Sequence, residues 1–243
     1  MCQFIVLMYH NLSDKPGNKY TLDFKSFNNQ LDILLADGFV IEGFDGLSKR
    51  IESGDWPERY ILITVDDGHQ SNLVTAEILS NKGAGGTFFI TKDYPNGQGD
   101  YLNQDEIFQL SKIAHVGSHS ISHSNMTKLE TSRLNFELAS SKIWLEDITG
   151  QEITTLSVPG GFINSKVVKA AIDNGYELIG NSNEWWNNTS EIQHSRIVNR
   201  IAIRNSFSDY TFYKIINKDC NFFIRRRMRS SLIAIPKHIL FRK

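Results

Sequence analysis

Apolar and polar positions alternate along this chain in short segments whose period switches repeatedly between two and about three and a half residues. Phe4-Ile-Val-Leu-Met-Tyr-His10 is a continuous apolar run that reads as a strand buried on both faces, ending in Tyr9 and His10. Asn11 to Thr21, with Pro16 and Gly17, reads as a polar loop. From Phe24 to Ala36 the apolar residues Phe24, Phe27, Leu31, Leu34 and Leu35 recur at helical spacing, and Asp37-Gly38 stops them. Phe39 to Ile41 is a short strand and Gly46 to Ser53 a short helix closed by Gly54, after which Tyr60-Ile-Leu-Ile-Thr-Val65 forms a second strand with no polar face. The order strand, helix, strand, helix, strand favours parallel pairing over a sandwich.

The alternation continues to the C-terminal third. A helix over Ser71–Asn81 precedes a strand at Thr87–Thr91, and a Pro/Gly loop spans Tyr94 to Asp100. Asn103 to Ser111 is a helix whose Asn-x-x-Glu start resembles a capping box. The short apolar stretch from Ile113 runs into Ser118-His119, and Lys128 to Thr149 is a long helix through Leu134, Leu138, Ile143 and Leu145. Thr154 to Val158 is a strand leading into Pro159-Gly160-Gly161, Ser165 to Asn174 a helix, and Glu177–Gly180 and Ile197–Ile203 are the last strands. There is no internal repeat. Gly83, Gly85 and Gly86 lack the Lys-Ser/Thr helix of a phosphate loop and read as a tight helix-to-strand passage.

Chemistry concentrates where two of these strands end. Tyr60–Val65 delivers Asp66-Asp67-Gly68 to its C-terminal end. Adjacent carboxylates repel and resist desolvation, so a cation at that point, with different jobs for the two acids, explains the pair well. An Asp-Asp-Gly turn capping the next helix is the plain alternative. His119 and His123, about fifty residues on, change the balance. Neutral imidazole is the commonest ligand of a borderline divalent metal, and two histidines with one carboxylate leave positions for water and substrate. Both groups fall where a parallel barrel carries its chemistry.

Ile-Thr-Val before Asp66-Asp67-Gly68, Gly86-Thr-Phe-Phe-Ile90 and Gly117-Ser-His-Ser-Ile-Ser-His123 resemble the polysaccharide deacetylases of the NodB-homology type, carbohydrate esterase family four. The resemblance runs from about Val6 to about Phe212. It implies an α/β fold, a distorted (β/α)7-type barrel, and a metal-dependent hydrolase that removes N-acetyl or related acyl groups from an amino sugar. By position it implies Asp66 as catalytic base and Asp67, His119 and His123 as ligands of one divalent ion, zinc first, with cobalt and nickel as alternatives. Two family features are altered. The Arg-containing segment that orients the base is replaced by Ser157-Val158-Pro159-Gly160-Gly161, whose Gly160 N–H could serve an oxyanion. The late Leu-x-His that supplies the acid is replaced by Val198-Asn-Arg200-Ile-Ala-Ile, where Arg200 could hold Asp66 or a substrate oxygen. The Tyr9-His10 start fits a divergent branch and makes His10 the first candidate acid, ahead of His69 and His194; His115 reads as structural. His69, Pro159, Gly161, Arg200 and the tandem Trp185-Trp186 are the expected substrate-binding residues, the tryptophans by stacking on pyranose faces. Two alternatives fit the same residues: a sugar-binding protein that keeps the metal without turnover, and a carbon–nitrogen hydrolase acting on a small non-sugar amide.

Length and composition narrow the classes. With 243 residues, 40% hydrophobic and 22% charged, the chain suits one barrel domain rather than two full domains. The net charge of −1 argues against nucleic acid as a partner, but the last twenty-six residues carry about eight Lys or Arg against one acid. We expect a barrel over 1–217 and a basic amphipathic extension over 218–243, with an N-acetylated glycan as substrate and peripheral membrane contact through that tail as a further option. Cys2 and Cys220 suggest thiols rather than a disulfide framework. Phe4 to Met8 is too short for a secretory apolar core, so the expected location is cytoplasmic, with the inner face of the membrane as its variant.

Overall fold

The computed structural model describes residues 2–15, 17–94 and 100–233. Its first long strand, β1 (Gln3–Tyr9), is buried from Phe4 onward, as its unbroken apolar run requires. β2 (Asn11–Leu12) and β3 (Thr21–Leu22) pair with each other inside the stretch that reads as loop. In α1 (Phe24–Ala36), Asp23 caps the first turn by accepting the Ser26 N–H at 2.8 Å, and Phe27, Leu31 and Leu34 form the buried face. There follow β4 (Val40–Glu42), α2 (Phe44–Ser53), β5 (Tyr60–Val65), α3 (Ser71–Asn81), β6 (Thr87–Ile90) and α4 (Gln104–Ile113). Asn103 and Glu106 form the expected capping box in both directions at the head of α4. Next come β7 (His115–Ser118), α5 (Thr131–Thr149), β8 (Thr155–Ser157), α6 (Ser165–Asp173) and β9 (Leu178–Gly180).

Beyond β9 the fold is finer than the sequence pattern. β10 (Asn187–Asn188) and α7 (Thr189–Ser195) occupy a stretch with no clear periodicity. Ile197–Ile203, expected as one strand, is broken at Asn199-Arg200 into β11 (Ile197–Val198) and β12 (Ile201–Ala202). That break closes the barrel. The strand order runs from β1 through β5, β6, β7, β8 and β9 to β11, all parallel, and β12 then pairs in parallel with β1. The two halves of one interrupted strand thereby take the two open edges, giving a nearly closed (β/α)7-type barrel. β4 adds along Tyr60–Leu62 of β5, and β10 lies antiparallel against Gln3 and Phe4.

Phe4, Val6, Tyr60, Leu62, Phe89, Leu178 and Val198 share one buried cluster, two residues apart wherever a strand contributes more than one. The same faces continue, two residues further on, as Thr64, Gly180 and Arg200, with Asp66 beyond Thr64, so apolar packing gives way to polar groups toward the strands' C-terminal ends. A Cβ on Gly180 would stand 2.8 Å from Arg200 Nε, which is why the position facing that guanidinium carries no side chain.

The chain divides into one compact unit, Met1–Ser206, and a second, Phe207–Lys243, so the division falls ahead of the Asn217 boundary read from the sequence. The second unit contains α8 (Asp209–Ile216) and α9 (Cys220–Ile233), with Arg226 over the rings of Phe207 and Phe222 at 4.9 and 5.8 Å. Pro236 and Ile239–Phe241 of the basic tail lie outside the described residues. Among those described, no helix is long and apolar enough to cross a membrane. Cys2 and Cys220 form no disulfide.

Candidate active site

Asp66 extends the barrel ladder by one residue, its N–H donating to the Tyr9 carbonyl at 2.9 Å. The chain then turns through Asp67 and Gly68 at φ of 78° and 88°, which sends the two carboxylates in different directions. Two strands along, just past the end of β7, the His119 N–H donates to Ile90 O at 2.9 Å, and the loop after it holds Ser120 and His123 at φ of 68° and 55°. Left-handed backbone costs a non-glycine residue about 1–2 kcal/mol. Three such residues around one point mark a place where the fold gives up local stability to aim side chains.

The aim is convergent. Ligand-type atoms of Asp67, His119 and His123 all lie within 4.8 Å of one another, and Asp67 Oδ1 is 3.5 Å from Nε2 of each histidine. Asp67 Oδ1 is buried and has no hydrogen-bond partner. His119 Nδ1 lies 2.8 Å from the Ser157 carbonyl, so that nitrogen carries a proton and Nε2 is the ring atom that faces Asp67. Burial opposes charge on His119, yet Asp66 and Asp67 outweigh it and raise its pKa. The arrangement therefore draws a positive charge to the centre of the cluster, and its nitrogen and oxygen donors suit a divalent ion.

Asp66 stands beside this cluster in a different setting. It is 2% exposed, and Arg200, fully buried, grips it with both ends of its fork: Nη1 to Oδ1 at 2.7 Å and Nη2 to Oδ2 at 2.9 Å. Ser157 Oγ donates to the same Oδ2 at 2.9 Å and accepts from Arg200 Nη2 at 2.7 Å, while Arg200 Nε donates to the Asn181 carbonyl at 3.0 Å. Burial pushes the Asp66 carboxyl up, but Arg200 and then His119 overcome it and hold its pKa below the usual range. The guanidinium missing before Pro159 is thus supplied from the break between β11 and β12. Ser157, which sequence reasoning noted only as a gap, serves both acids' surroundings: its hydroxyl binds Asp66 and its carbonyl orients His119.

His10 follows β1 with its ring stacked on Tyr20 at 4.7 Å, and its buried Nδ1 has no partner. Burial lowers its pKa, with Asp66 and Asp67 pulling the other way. His69 Nε2 is 3.9 Å from Asp67 Oδ2, and burial lowers its pKa too. Pro159-Gly160-Gly161 forms one tight turn with Gly160 and Gly161 at φ of 63° and 71°; Gly161 commits its N–H to Val158 O at 2.8 Å, and Gly160 is exposed. Trp185 and Trp186 stack on each other at 4.1 Å, half-buried, in the loop between β9 and β10. His194 sits exposed on α7, with Nδ1 2.7 Å from Ser190 O, and His115 lies at the opposite end of its strand from His119, with Nδ1 3.0 Å from Thr87 Oγ1.

One buried acid escaped the motif search. Glu137 on α5, 1% exposed, accepts the N–H groups of Ile121 and Ser122 at 2.9 Å each, the Ser122 hydroxyl at 2.6 Å and Arg133 at 2.7 Å. It ties the loop between His119 and His123 to the helix. Its signal was present, since Glu137 shares the buried face of Leu134, Leu138 and Leu145, where an unpaired acid is costly. Burial raises its pKa, but these hydrogen bonds lower it further. A depressed folded pKa gives stability that is present above the unfolded value, about 4.3, and is lost as pH falls through the folded one. Denaturant unfolding at pH 7 and pH 3.5 should show this loss, and Glu137→Gln should cost about 1–3 kcal/mol at pH 7 and less in acid. An unchanged pH slope in the variant would refute the linkage.

A barrel with an Asp doublet and a His pair at one mouth defines a recognisable class of protein. The model of the family described as polysaccharide deacetylase matches residues 53–179, more than half of the chain, and the chain belongs to that family. It is 28% identical over 177 residues to Bacillus subtilis (strain 168) YxkH, whose name places it among polysaccharide deacetylases; the match takes in 71% of this chain and 62% of that protein. Against the peptidoglycan-N-acetylmuramic acid deacetylase PdaA of the same organism it is 26% identical, over 52% of this chain and 48% of the other. The chain thus matches less than two thirds of the length of these curated relatives. PplD, a Streptococcus pyogenes deacetylase solved in complex with acetate, superposes with a TM-score of 0.79 over 88% of this chain and 98% of its own, at 18% identity. That likeness is one of fold.

Proposed function

We propose that this chain is a metal-dependent hydrolase that removes N-acetyl groups from an amino sugar of a glycan. The observation that carries the reading is the different setting of the two acids: Asp67 converges with His119 and His123, while Asp66, its Oδ2 3.9 Å from His119 Nε2, is gripped by Arg200 and Ser157. A divalent ion on Asp67, His119 and His123, zinc before cobalt or nickel, would supply Lewis acidity toward the amide carbonyl and acidify water. Asp66 is ionised and fixed, so it can take a proton from attacking water; each carboxylate oxygen has two lone pairs, and Arg200 does not exhaust them. The Gly160 N–H is the proposed donor to the oxyanion. His10 is the proposed donor to the departing amine, with the carboxylates of Asp66 and Asp67 opposing the burial that favours its neutral form. Pro159, Gly161, His69, Trp185 and Trp186 are proposed to shape the sugar site around these groups.

Acetate release from a panel of N-acetylated oligosaccharides, with zinc, cobalt and nickel added in turn, tests the activity. Asp67→Ala and His119→Ala are each expected to lose most of the metal, from about one ion per chain, as removal of one of three protein ligands should. Metal bound without acetate release from any sugar would overturn the deacetylase reading, and release from small amides alone would redirect it. Full metal content in both variants would overturn the ligand set.

A further inference from the structure

We propose that the C-terminal helices α8 and α9 dock the protein on an anionic lipid membrane, with Ile224 and Met228 entering the acyl boundary and Lys214, Arg225, Arg226 and Arg227 holding phosphate headgroups. Nothing in this docking depends on which reaction the barrel performs. The unit Phe207–Lys243 carries nine Lys or Arg against two acids, Asp209 and Asp219, a net charge of +7, which leaves −8 on Met1–Ser206. A partner drawn by charge to the C-terminal unit is therefore anionic, and the same charge disfavours its lying against the barrel.

The faces of α9 differ sharply. Phe223 is buried and Arg226 spans the rings of Phe207 and Phe222, so this side of the helix is committed to packing. Ile224 and Met228, one turn apart, are 49% and 61% exposed on the other side. At about 100° per residue, Arg225 stands about 60° beyond Met228 and Arg227 about 60° to the other side of Ile224. Both arginines are exposed. An apolar ridge bordered on each side by arginine is what a helix lying in a membrane interface presents: the ridge reaches the acyl boundary, while each long arginine stem keeps its guanidinium at headgroup depth. On α8, Tyr210 is exposed with Lys214 Nζ 4.8 Å from its ring, and tyrosine gathers at that same depth.

Between the two helices lies a cavity of about 270 Å³ lined by Lys214, Asn221, Phe222, Arg225 and Arg226. It is smaller than the roughly 300–1,000 Å³ of pockets for drug-sized ligands and suits a single phosphate ester. Asp219 is the acid beside it, with Oδ2 3.7 Å from Lys214 Nζ and Oδ1 accepting the Phe222 N–H at 2.7 Å; Asp209 heads α8 at its other end. One carboxylate against three cations leaves the cavity positive, and guanidinium forks match phosphate oxygens two at a time. Nucleic acid also brings phosphate, but a phosphodiester backbone gives exposed Ile224 and Met228 nothing to bury against. A lipid surface supplies both the phosphates and the apolar layer beneath them.

Sedimentation of the full-length protein with vesicles tests the docking. Vesicles of phosphatidylcholine with about one quarter phosphatidylglycerol should bind it at least about tenfold tighter than phosphatidylcholine alone, and raising the salt from about 0.05 M to about 0.5 M should release most of it. Arg225→Gln, Arg227→Gln and Lys214→Gln should each weaken binding to the charged vesicles by about fivefold, the worth of one cation near an anionic surface. Met228→Ser leaves the charge unchanged and should weaken binding by about tenfold, while Met228→Leu should keep it. These side chains are exposed or half-buried, so the variants should melt at the parent's temperature. Equal binding to both kinds of vesicle would overturn the docking, as would binding indifferent to Met228→Ser. Capture of duplex RNA at protein concentrations where charged vesicles bind none would overturn it too, and would make the arginines a nucleic-acid surface.

Discussion

Arg200→Met should destabilise the protein by about 3–5 kcal/mol at pH 7 and abolish most of its turnover. Arg200 is fully buried and makes four contacts of 3.0 Å or less, two to Asp66, one to Ser157 and one to the Asn181 carbonyl. Methionine fills much of the same space, so the cost is chiefly that of a carboxylate left buried without its counter-charge. Asp66 would then take up a proton, since burial already pushes its pKa upward and the guanidinium is the main force holding it down. The sign of the pH dependence follows. Asp66 has a depressed folded pKa in the unmodified protein, so its contribution is present above the unfolded value and disappears as pH falls through the folded one. Urea unfolding across pH 7 to pH 3 should therefore show the gap between variant and parent closing in acid. Arg200→Lys should rescue little, because a point charge cannot reproduce the two-pronged grip on Asp66. Equal stability of Arg200→Met and the parent at pH 7 would show that the ion pair contributes nothing.

Asp66→Asn should retain its metal and lose roughly 10²–10⁴-fold in turnover, the usual worth of a positioned base. The amide keeps the shape of the carboxylate and one acceptor for Arg200 and Ser157, but cannot take a proton from water. Asp66 is not among the three converging groups, so metal content should match the parent within error, whereas a ligand substitution should lower content and activity together. Metal analysis and single-turnover acetate release on the same preparation make the comparison. Loss of both in Asp66→Asn would turn it into a ligand or a purely structural acid, and undiminished release would remove it from the reaction.

Much of the barrel was legible before any tertiary contact was known, because its signals are local. Helix bounds at Phe24–Ala36 and Ser71–Asn81 coincide with the periodic segments, and the Asn103 box forms as its spacing predicts. Strands covered on both faces must be apolar throughout, so Phe4–Tyr9 and Tyr60–Val65 announce themselves. Asp66-Asp67-Gly68, His119 and His123 stood out for the same reason, as polar groups at the ends of runs that exclude them.

Other features needed the closed fold. Ile197–Ile203 carries no sign that it must break, since the break answers to two edges, β9 and β1, more than a hundred residues apart in sequence. Only that break turns Arg200 onto Asp66, and only Gly180, on yet another strand, leaves it room. Ser157 is one small hydroxyl in a strand until Asp66 and Arg200 meet it from either side. Tyr94 and Tyr101 look like loop residues until His69 and His123 bracket them. By itself the sequence determined which segments are helix or strand and which residues could bear the chemistry, because periodicity and strand-end polarity act over a few residues. Which guanidinium anchors which acid, and which rings border the cluster of Asp67, His119 and His123, were decided by tertiary structure, because charge pairing and ring stacking depend on distances that barrel closure alone sets.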